Sequence, residues 1–218
     1  MIRGLAFYDM DGTLVSSNVI HQYAWFARHH PQRALRIPWL WISYPSFAVE
    51  LVSREWFNVV FFRQYRGMQR PWLEDCAEAM ARAVLDPATF PGAADLVARD
   101  RAAGYRTVLL TGSLDFAVTP LARRLGFDEV VANRLEFDRS GFATGRLVQP
   151  LLAGRTKADA VQRLLTGYNV SPDNAKAYSD STSDLPMLEA VSQPAAVNPS
   201  SGLRRVAKAR GWPVLDLR

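Results

Sequence analysis

Short apolar runs alternate along this chain with longer stretches whose apolar positions recur every three or four residues. The short runs, at 4–8, 106–110, 129–132, 175–178, 194–197 and 213–217, several of them apolar throughout, predict strands covered on both faces. The periodic stretches, at 92–103, 115–125, 157–165, 184–191 and 202–210, predict amphipathic helices. Gly104, Gly126 and Gly211 follow three of them as stops. Strand–helix–strand order implies right-handed crossovers and a parallel, doubly wound α/β sheet with helices on both sides. One segment, 134–150, alternates apolar and polar residues around Asp138-Arg139-Ser140-Gly141 and reads as a β-hairpin.

Residues 16–88 break the rhythm, with no convincing strand and many Trp, Phe, Tyr and Arg residues. The pattern there predicts helices over 19–28, 33–52, 54–66 and 72–85, punctuated by Pro31, Pro38, Pro45, Pro71 and Pro87. The expected organisation is a Rossmann-like core from 1–15 and 89–218, with an all-helical cap inserted at 16–88. The segment 37–49 is too short to span a bilayer, holds two prolines and is followed by Glu50 and Arg54. Its aromatic residues, Trp39 and Trp41 among them, are expected to pack the cap; contact with a membrane surface stays open but is not favoured.

Composition narrows the classes. The 218 residues are 49% hydrophobic, enough for a real core and against wholesale disorder. The single cysteine, Cys76, can form neither an internal disulfide nor a thiolate metal cluster. The opening residues run straight into the first strand without a signal-peptide pattern, so a cytoplasmic location is expected. The net charge of +5 comes chiefly from scattered Arg. The densest basic segment, Arg204, Arg205, Lys208 and Arg210, lacks interleaved aromatics, and nucleic acid is not an expected partner.

Four motifs carry the chemistry, and three directly follow predicted strands. Asp9-Met10-Asp11-Gly12-Thr13-Leu14 places two carboxylates at a sheet rim. Such a pair repels and calls for a hard cation or a shared proton. Gly12 permits a sharp turn, and Thr13 is positioned to cap the next element. Read alone, this is also an ordinary Asp-Gly turn. Thr111-Gly112-Ser113 is expected at the C-terminal end of a strand and opening a helix, where hydroxyls and bare N–H groups cradle an anion. Lys157 lies near the next helix start. Ser179-Asp180-Ser181-Thr182-Ser183-Asp184 forms a second acidic turn. In a parallel sheet these loops share one edge, so Asp9, Asp11, Asp180 and Asp184 should converge. Carboxylates, one ammonium and a hydroxyl-plus-amide cradle suit Mg²⁺ and phosphoryl transfer.

This set, in this order and strand context, resembles the haloacid dehalogenase superfamily of phosphatases over nearly the whole chain. A helical insertion between the first two motifs is similar to the C1-type cap of the phosphoserine-phosphatase-like branch, subfamily IB. So is the closing run 178–188 followed by Ala196-Val197-Asn198-Pro199. The resemblance implies Asp9 as nucleophile and Asp11 as general acid, then base. It implies Thr111, Gly112 and Ser113 around the phosphoryl oxygens, and Lys157 neutralising Asp9 and the phosphate. Mg²⁺ would be held by the Asp9 carboxylate, the Asp11 backbone carbonyl and the Asp180 carboxylate. Asp184 would orient metal waters or Lys157.

Two departures bear on substrate. Phosphoserine phosphatases of that branch carry an acidic residue just after the first motif; here Ser16-Ser17-Asn18-Val19 offers none before Glu50. Ser181 and Ser183 stand where Gly and Asn are usual. The expected activity is hydrolysis of a small phosphate monoester, with phosphoserine less favoured. Transfer to another acceptor, or a lipid-derived phosphate at a membrane surface, are the alternatives. Arg63, on one predicted helix face with Arg66, is a candidate anchor for a substrate carboxylate or second phosphate. Nothing in the sequence sets the oligomeric state.

Overall fold

The structure, a computed structural model, describes residues 2–30 and 61–218. Eight strands appear among them: β1 (Gly4–Tyr8), β2 (Tyr105–Leu114), β3 (Glu129–Asn133), β4 (Leu135–Phe137), β5 (Ala143–Leu147), β6 (Ala175–Ser179), β7 (Gln193–Val197) and β8 (Val214–Leu215). The described helices are α1 (Val19–His29), α2 (Arg70–Met80), α3 (Ala93–Ala102), α4 (Asp115–Leu125), α5 (Arg155–Gly167), α6 (Leu185–Glu189) and α7 (Ser201–Arg210). Six strands form one parallel sheet in the order β3-β2-β1-β6-β7-β8. The chain moves outward from β1 through β2 to β3, then returns to lay β6 on the other side of β1. Such a reversal of strand order opens a crevice beyond the carboxyl ends of the strands.

Burial explains why β1 reads as unbroken apolar sequence. Leu5 and Phe7 enter a core shared with Val161 and Leu165 of α5, Met187 and Leu188 of α6, and Leu203 of α7. Ala6 and Tyr8 enter the opposite core, with Leu96 and Val97 of α3 and Val118 and Leu121 of α4. Alternate residues of β1 thus feed two cores, which is why both faces of the strand read as apolar or aromatic. The second core extends to Tyr23 and Phe26 of α1 and Leu73 and Met80 of α2. Phe61 and Phe62 are buried in it too, at 2% and 1% exposure, as expected of aromatic packing residues.

Between β1 and α3 the described residues hold α1 and α2 and no sheet strand. Val15 bridges Thr89, and Ser16 N–H donates to the Ala88 carbonyl at 2.8 Å, so the chain leaves and returns at one place. The predicted helix over 33–52 lies outside the described residues, as does the segment 37–49. So does most of 54–66; its described end, Arg63–Tyr65, is a 3₁₀ turn rather than continued α-helix. The predicted 72–85 helix starts earlier, with Pro71 in its first turn, and widens into a π-type turn at Ala81–Leu85. The hairpin β4–β5 is antiparallel and fastens to the stretch before α2. Gly67 N–H donates to Ala143 O at 2.7 Å, and Arg70 N–H to Gly141 O at 2.9 Å. No helix among the described residues is long and apolar enough to cross a membrane.

Candidate active site

The carboxyl ends of β1 and β6 carry the acidic motifs side by side. Asp9 N–H donates to the Tyr178 carbonyl at 2.9 Å, extending the ladder one step past Tyr8. Lys157, in the first turn of α5, reaches between two carboxylates. Its Nζ lies 2.6 Å from Asp9 Oδ1 and 2.8 Å from Asp184 Oδ2. Ser179 Oγ donates to the same Asp184 oxygen at 2.9 Å. All three charged groups are buried. Burial alone would pull the Lys157 ammonium down, but Asp184 and Asp9 outweigh it and raise it, so it stays charged.

The turn after β1 folds around one carbonyl. Met10 O accepts N–H groups of Thr13, Leu14 and Val15, while Gly12 N–H donates to Val15 O at 2.8 Å. Gly12 has φ +86°, and a Cβ there would collide with the Asp180 carboxylate. Only glycine lets the two acidic loops approach this closely. Thr13 does not cap the next helix. Its hydroxyl sits between Asp9 Oδ2 at 3.2 Å and Asp180 Oδ1 at 3.3 Å, and Asn18 caps α1 instead. The strong local capper, five residues on, frees Thr13 for the acidic loops.

Thr111-Gly112-Ser113 lies at the carboxyl end of β2, as the sequence predicts, but the strand runs through it to Leu114 and the helix opens only at Asp115. Thr111 pairs with Ala132 and Leu114 with Asn133, leaving Gly112 and Ser113 bulged without counterparts on β3. The bulge turns Ser113 inward. Ser113 Oγ donates to Asp11 Oδ2 at 2.9 Å and accepts from Gln22 Nε2 at 3.1 Å. Ser113 N–H donates to Thr111 Oγ1 at 3.1 Å.

Three bracing residues escaped sequence reasoning. Besides Gln22, Asn133 Nδ2 donates to Gly112 O at 2.6 Å while its Oδ1 accepts Leu152 N–H at 2.9 Å. It ties the bulge to the loop leading into α5. Asn198 Nδ2 donates to Thr13 O at 3.1 Å, and its Oδ1 accepts Leu217 N–H at 2.9 Å. Asn198 sits at φ +45°, a conformation asparagine tolerates better than most residues. The Asn-Pro at 198–199 was the one local signal available.

Four carboxylates therefore gather here with one ammonium: Asp9 and Asp184 bind Lys157, and Asp11 and Asp180 lie near enough for Asp9 to repel them. Burial, then repulsion from Asp9, pushes Asp11 up to about 8. Burial, then Asp9 and Asp184, pushes Asp180 up to about 7. Burial also raises Asp9 against the pull of Lys157. Asp11 Oδ1 is buried and has no hydrogen-bond partner among the described residues. Among the described residues no three acidic, His or Cys side chains form a ready-made metal cage. The implied set needs only two carboxylates and a backbone carbonyl, as Mg²⁺ keeps several waters. Surplus negative charge with oxygen donors only is what a hard cation fits. Arg63 lies elsewhere, exposed in a groove of about 1030 Å³ against the β4–β5 hairpin that contains none of the motif residues.

A family model of haloacid dehalogenase-like hydrolases matches residues 6–189. A phosphoserine phosphatase of Mycobacterium tuberculosis is 30% identical over 224 residues, covering 100% of this chain and 72% of its own. A histidinol-phosphatase of Neisseria meningitidis is 28% identical over 239 residues, covering 100% of both chains. A solved structure of a Bordetella pertussis protein of unknown function is 30% identical, with a TM-score of 0.88 over 100% of both chains. This chain belongs to the haloacid dehalogenase superfamily, as a phosphoric-monoester hydrolase of its phosphoserine-phosphatase-like branch.

Proposed function

We propose that the protein is a Mg²⁺-dependent phosphatase that hydrolyses a small phosphate monoester through an aspartyl-phosphate on Asp9. The observation that carries this reading is the charge surplus, four carboxylates gathered with one ammonium, and one oxygen of Asp11 without a partner among the described residues. The Asp9 and Asp180 carboxylates and the Asp11 backbone carbonyl would hold Mg²⁺, which when bound neutralises the carboxylates and the phosphoryl oxygens.

Asp9 attacks phosphorus with the oxygen not engaged by Lys157, forming a new P–O bond as the ester P–O bond breaks. Asp11 delivers its proton to the departing alkoxide. The same carboxylate then takes a proton from water, which attacks the aspartyl-phosphate and releases inorganic phosphate and free Asp9. Lys157, fixed by Asp184, holds Asp9 ionised and in place. Thr111 and the bulged backbone at Gly112 receive the phosphoryl oxygens. The segment 16–88 acts as a cap that excludes bulk water.

The relatives' names support a small phosphorylated metabolite without fixing which, since similar identity accompanies phosphoserine and histidinol phosphate chemistry. Ser16-Ser17-Asn18-Val19 supplies no carboxylate for an amino group, so free phosphoserine is not the favoured substrate. The test is phosphate release from a panel of phosphoserine, histidinol phosphate, phosphoethanolamine, glycerol phosphates, lysophosphatidate and nucleotides, with and without Mg²⁺. Release that needs Mg²⁺ and disappears in Asp9→Asn supports the reading. No release from any ester by folded protein overturns hydrolysis and leaves phosphotransfer.

A further inference from the structure

We propose that Gln22 is a positioning residue for the acid/base Asp11, acting through Ser113, so that docking of helix α1 sets the direction of Asp11's proton. This rests on the proposed acid/base role of Asp11. The geometry is a chain of two hydrogen bonds across two elements far apart in sequence. Gln22 Nε2 donates to Ser113 Oγ at 3.1 Å, and Ser113 Oγ donates to Asp11 Oδ2 at 2.9 Å. Gln22 is 2% exposed and Ser113 fully buried, so water does not compete for either bond.

The direction of the chain comes from the donor inventory. An amide nitrogen only donates, so Gln22 Nε2 occupies a lone pair on Ser113 Oγ and the serine proton must point elsewhere. The carboxylate of Asp11 is the acceptor there. Asp11 Oδ2 is thereby fixed as a hydrogen-bond acceptor, and the catalytic proton resides on Oδ1. Oδ1 is the atom that has no partner among the described residues. Without Gln22 the serine hydroxyl can rotate, Oδ2 loses its assigned donor, and the proton distributes over both oxygens.

Gln22 lies on α1, inside the segment inserted between the first two motifs, whereas Ser113 and Asp11 lie at the ends of β2 and β1. The chain therefore makes acid/base geometry depend on α1 being seated. A side chain that merely filled space would not distinguish between substrates by their leaving groups, and this one should. An alkyl phosphate needs Asp11's proton as its P–O bond breaks; p-nitrophenyl phosphate, with a stable phenolate leaving group, hardly does.

The experiment compares kcat/KM for an alkyl phosphate and for p-nitrophenyl phosphate in wild type, Gln22→Met, Ser113→Ala and the double variant. Gln22→Met keeps length and removes the donor. It should lose about tenfold on the alkyl ester and less than about twofold on the aryl ester. The double variant should be no worse than Ser113→Ala, because Gln22 acts only through that hydroxyl. Equal losses on both esters, no loss on either, or losses that multiply in the double variant overturn the proposal while leaving the phosphatase reading intact. If Gln22→Met does not fold, the same leaving-group difference in Gln22→Leu, which also removes the donor, decides. A wild type inactive on every ester removes the underlying reading, and the proposal with it.

Discussion

Two buried charge clusters sit on the same two strands, one step apart, and they are built on opposite principles. Below the rim, Asp100 of α3 accepts the Tyr8 hydroxyl at 2.6 Å and the Tyr178 hydroxyl at 2.7 Å on one oxygen. Its other oxygen accepts Lys176 Nζ at 2.7 Å. The two tyrosines face each other in register, rings stacked at 4.7 Å. The Asp100 carboxylate meets the Lys176 ammonium and two hydroxyls, with the Arg99 guanidinium close to both phenols, and burial and Asp100 hold the phenols neutral. At the rim, starting with the very next residue, Asp9, two carboxylates bind one ammonium, Asp11 and Asp180 stand close by, and one Asp11 oxygen has no partner among the described residues. Burial of charge is common to both. Only the upper cluster carries surplus acid, the property on which the proposed Mg²⁺ and phosphate site rests.

The comparison is tested most severely at Asp9. Asp9→Asn should cost more than about a thousandfold in phosphate release, since the amide is not a nucleophile, with the circular dichroism spectrum unchanged. Asp11→Asn should cost roughly 10²–10⁴-fold, and more for alkyl than for aryl esters. The balanced cluster answers to a different assay. Asp100→Ala strands a lysine and two buried hydroxyls and should destabilise the protein by about 3–5 kcal/mol in urea unfolding. The fraction that remains folded should keep turnover within a few fold. If Asp100→Ala instead abolished turnover in folded protein, the division between the clusters would fail.

Smaller effects sharpen it. Gly12→Ala forces a positive φ on a side chain that meets Asp180, costing about 1–3 kcal/mol and weakening Mg²⁺ binding, read by calorimetric titration. pH gives the mildest test. Asp11 and Asp180 are raised to about 8 and about 7, so the folded protein holds more protons than the unfolded chain between about pH 4 and 8. Their contribution is complete below the ordinary carboxylate range and is lost as pH rises through the folded values. Metal-free protein should therefore lose melting temperature towards pH 8.5, and Mg²⁺ should restore more there than at pH 5. A Mg²⁺ effect that is larger at pH 5 would contradict the surplus.

Much of this is legible in the sequence. β1 (Gly4–Tyr8) and α4 (Asp115–Leu125) occupy the predicted residues because strong apolar runs and an amphipathic period leave little choice. The acidic motifs are visible because each follows a strand, and a parallel sheet delivers all such loops to one edge. The hidden part depends on contacts between distant residues. Gln22 reaches Ser113 91 positions away, and Asn198 reaches Thr13 185 positions away. Locally, Gln22 is a polar position on an amphipathic helix, and Asp100, between Arg99 and Arg101, looks like solvated helix surface. Thr111-Gly112-Ser113 reads as a helix start because hydroxyls there usually cap; the bulge in β2 depends on its pairing with β3.

The chemistry at the upper cluster can be caught directly. A radiolabelled phosphate ester, selected as the best substrate of the panel, is mixed with enzyme and Mg²⁺ and quenched in acid during steady-state turnover, when a covalent aspartyl-phosphate survives long enough to be counted. Label should remain on wild-type protein, map to the peptide carrying Asp9, and be absent from Asp9→Asn. Rapid turnover with no label on the protein at any quench time, together with an active Asp9→Asn, would show that phosphate never passes through Asp9.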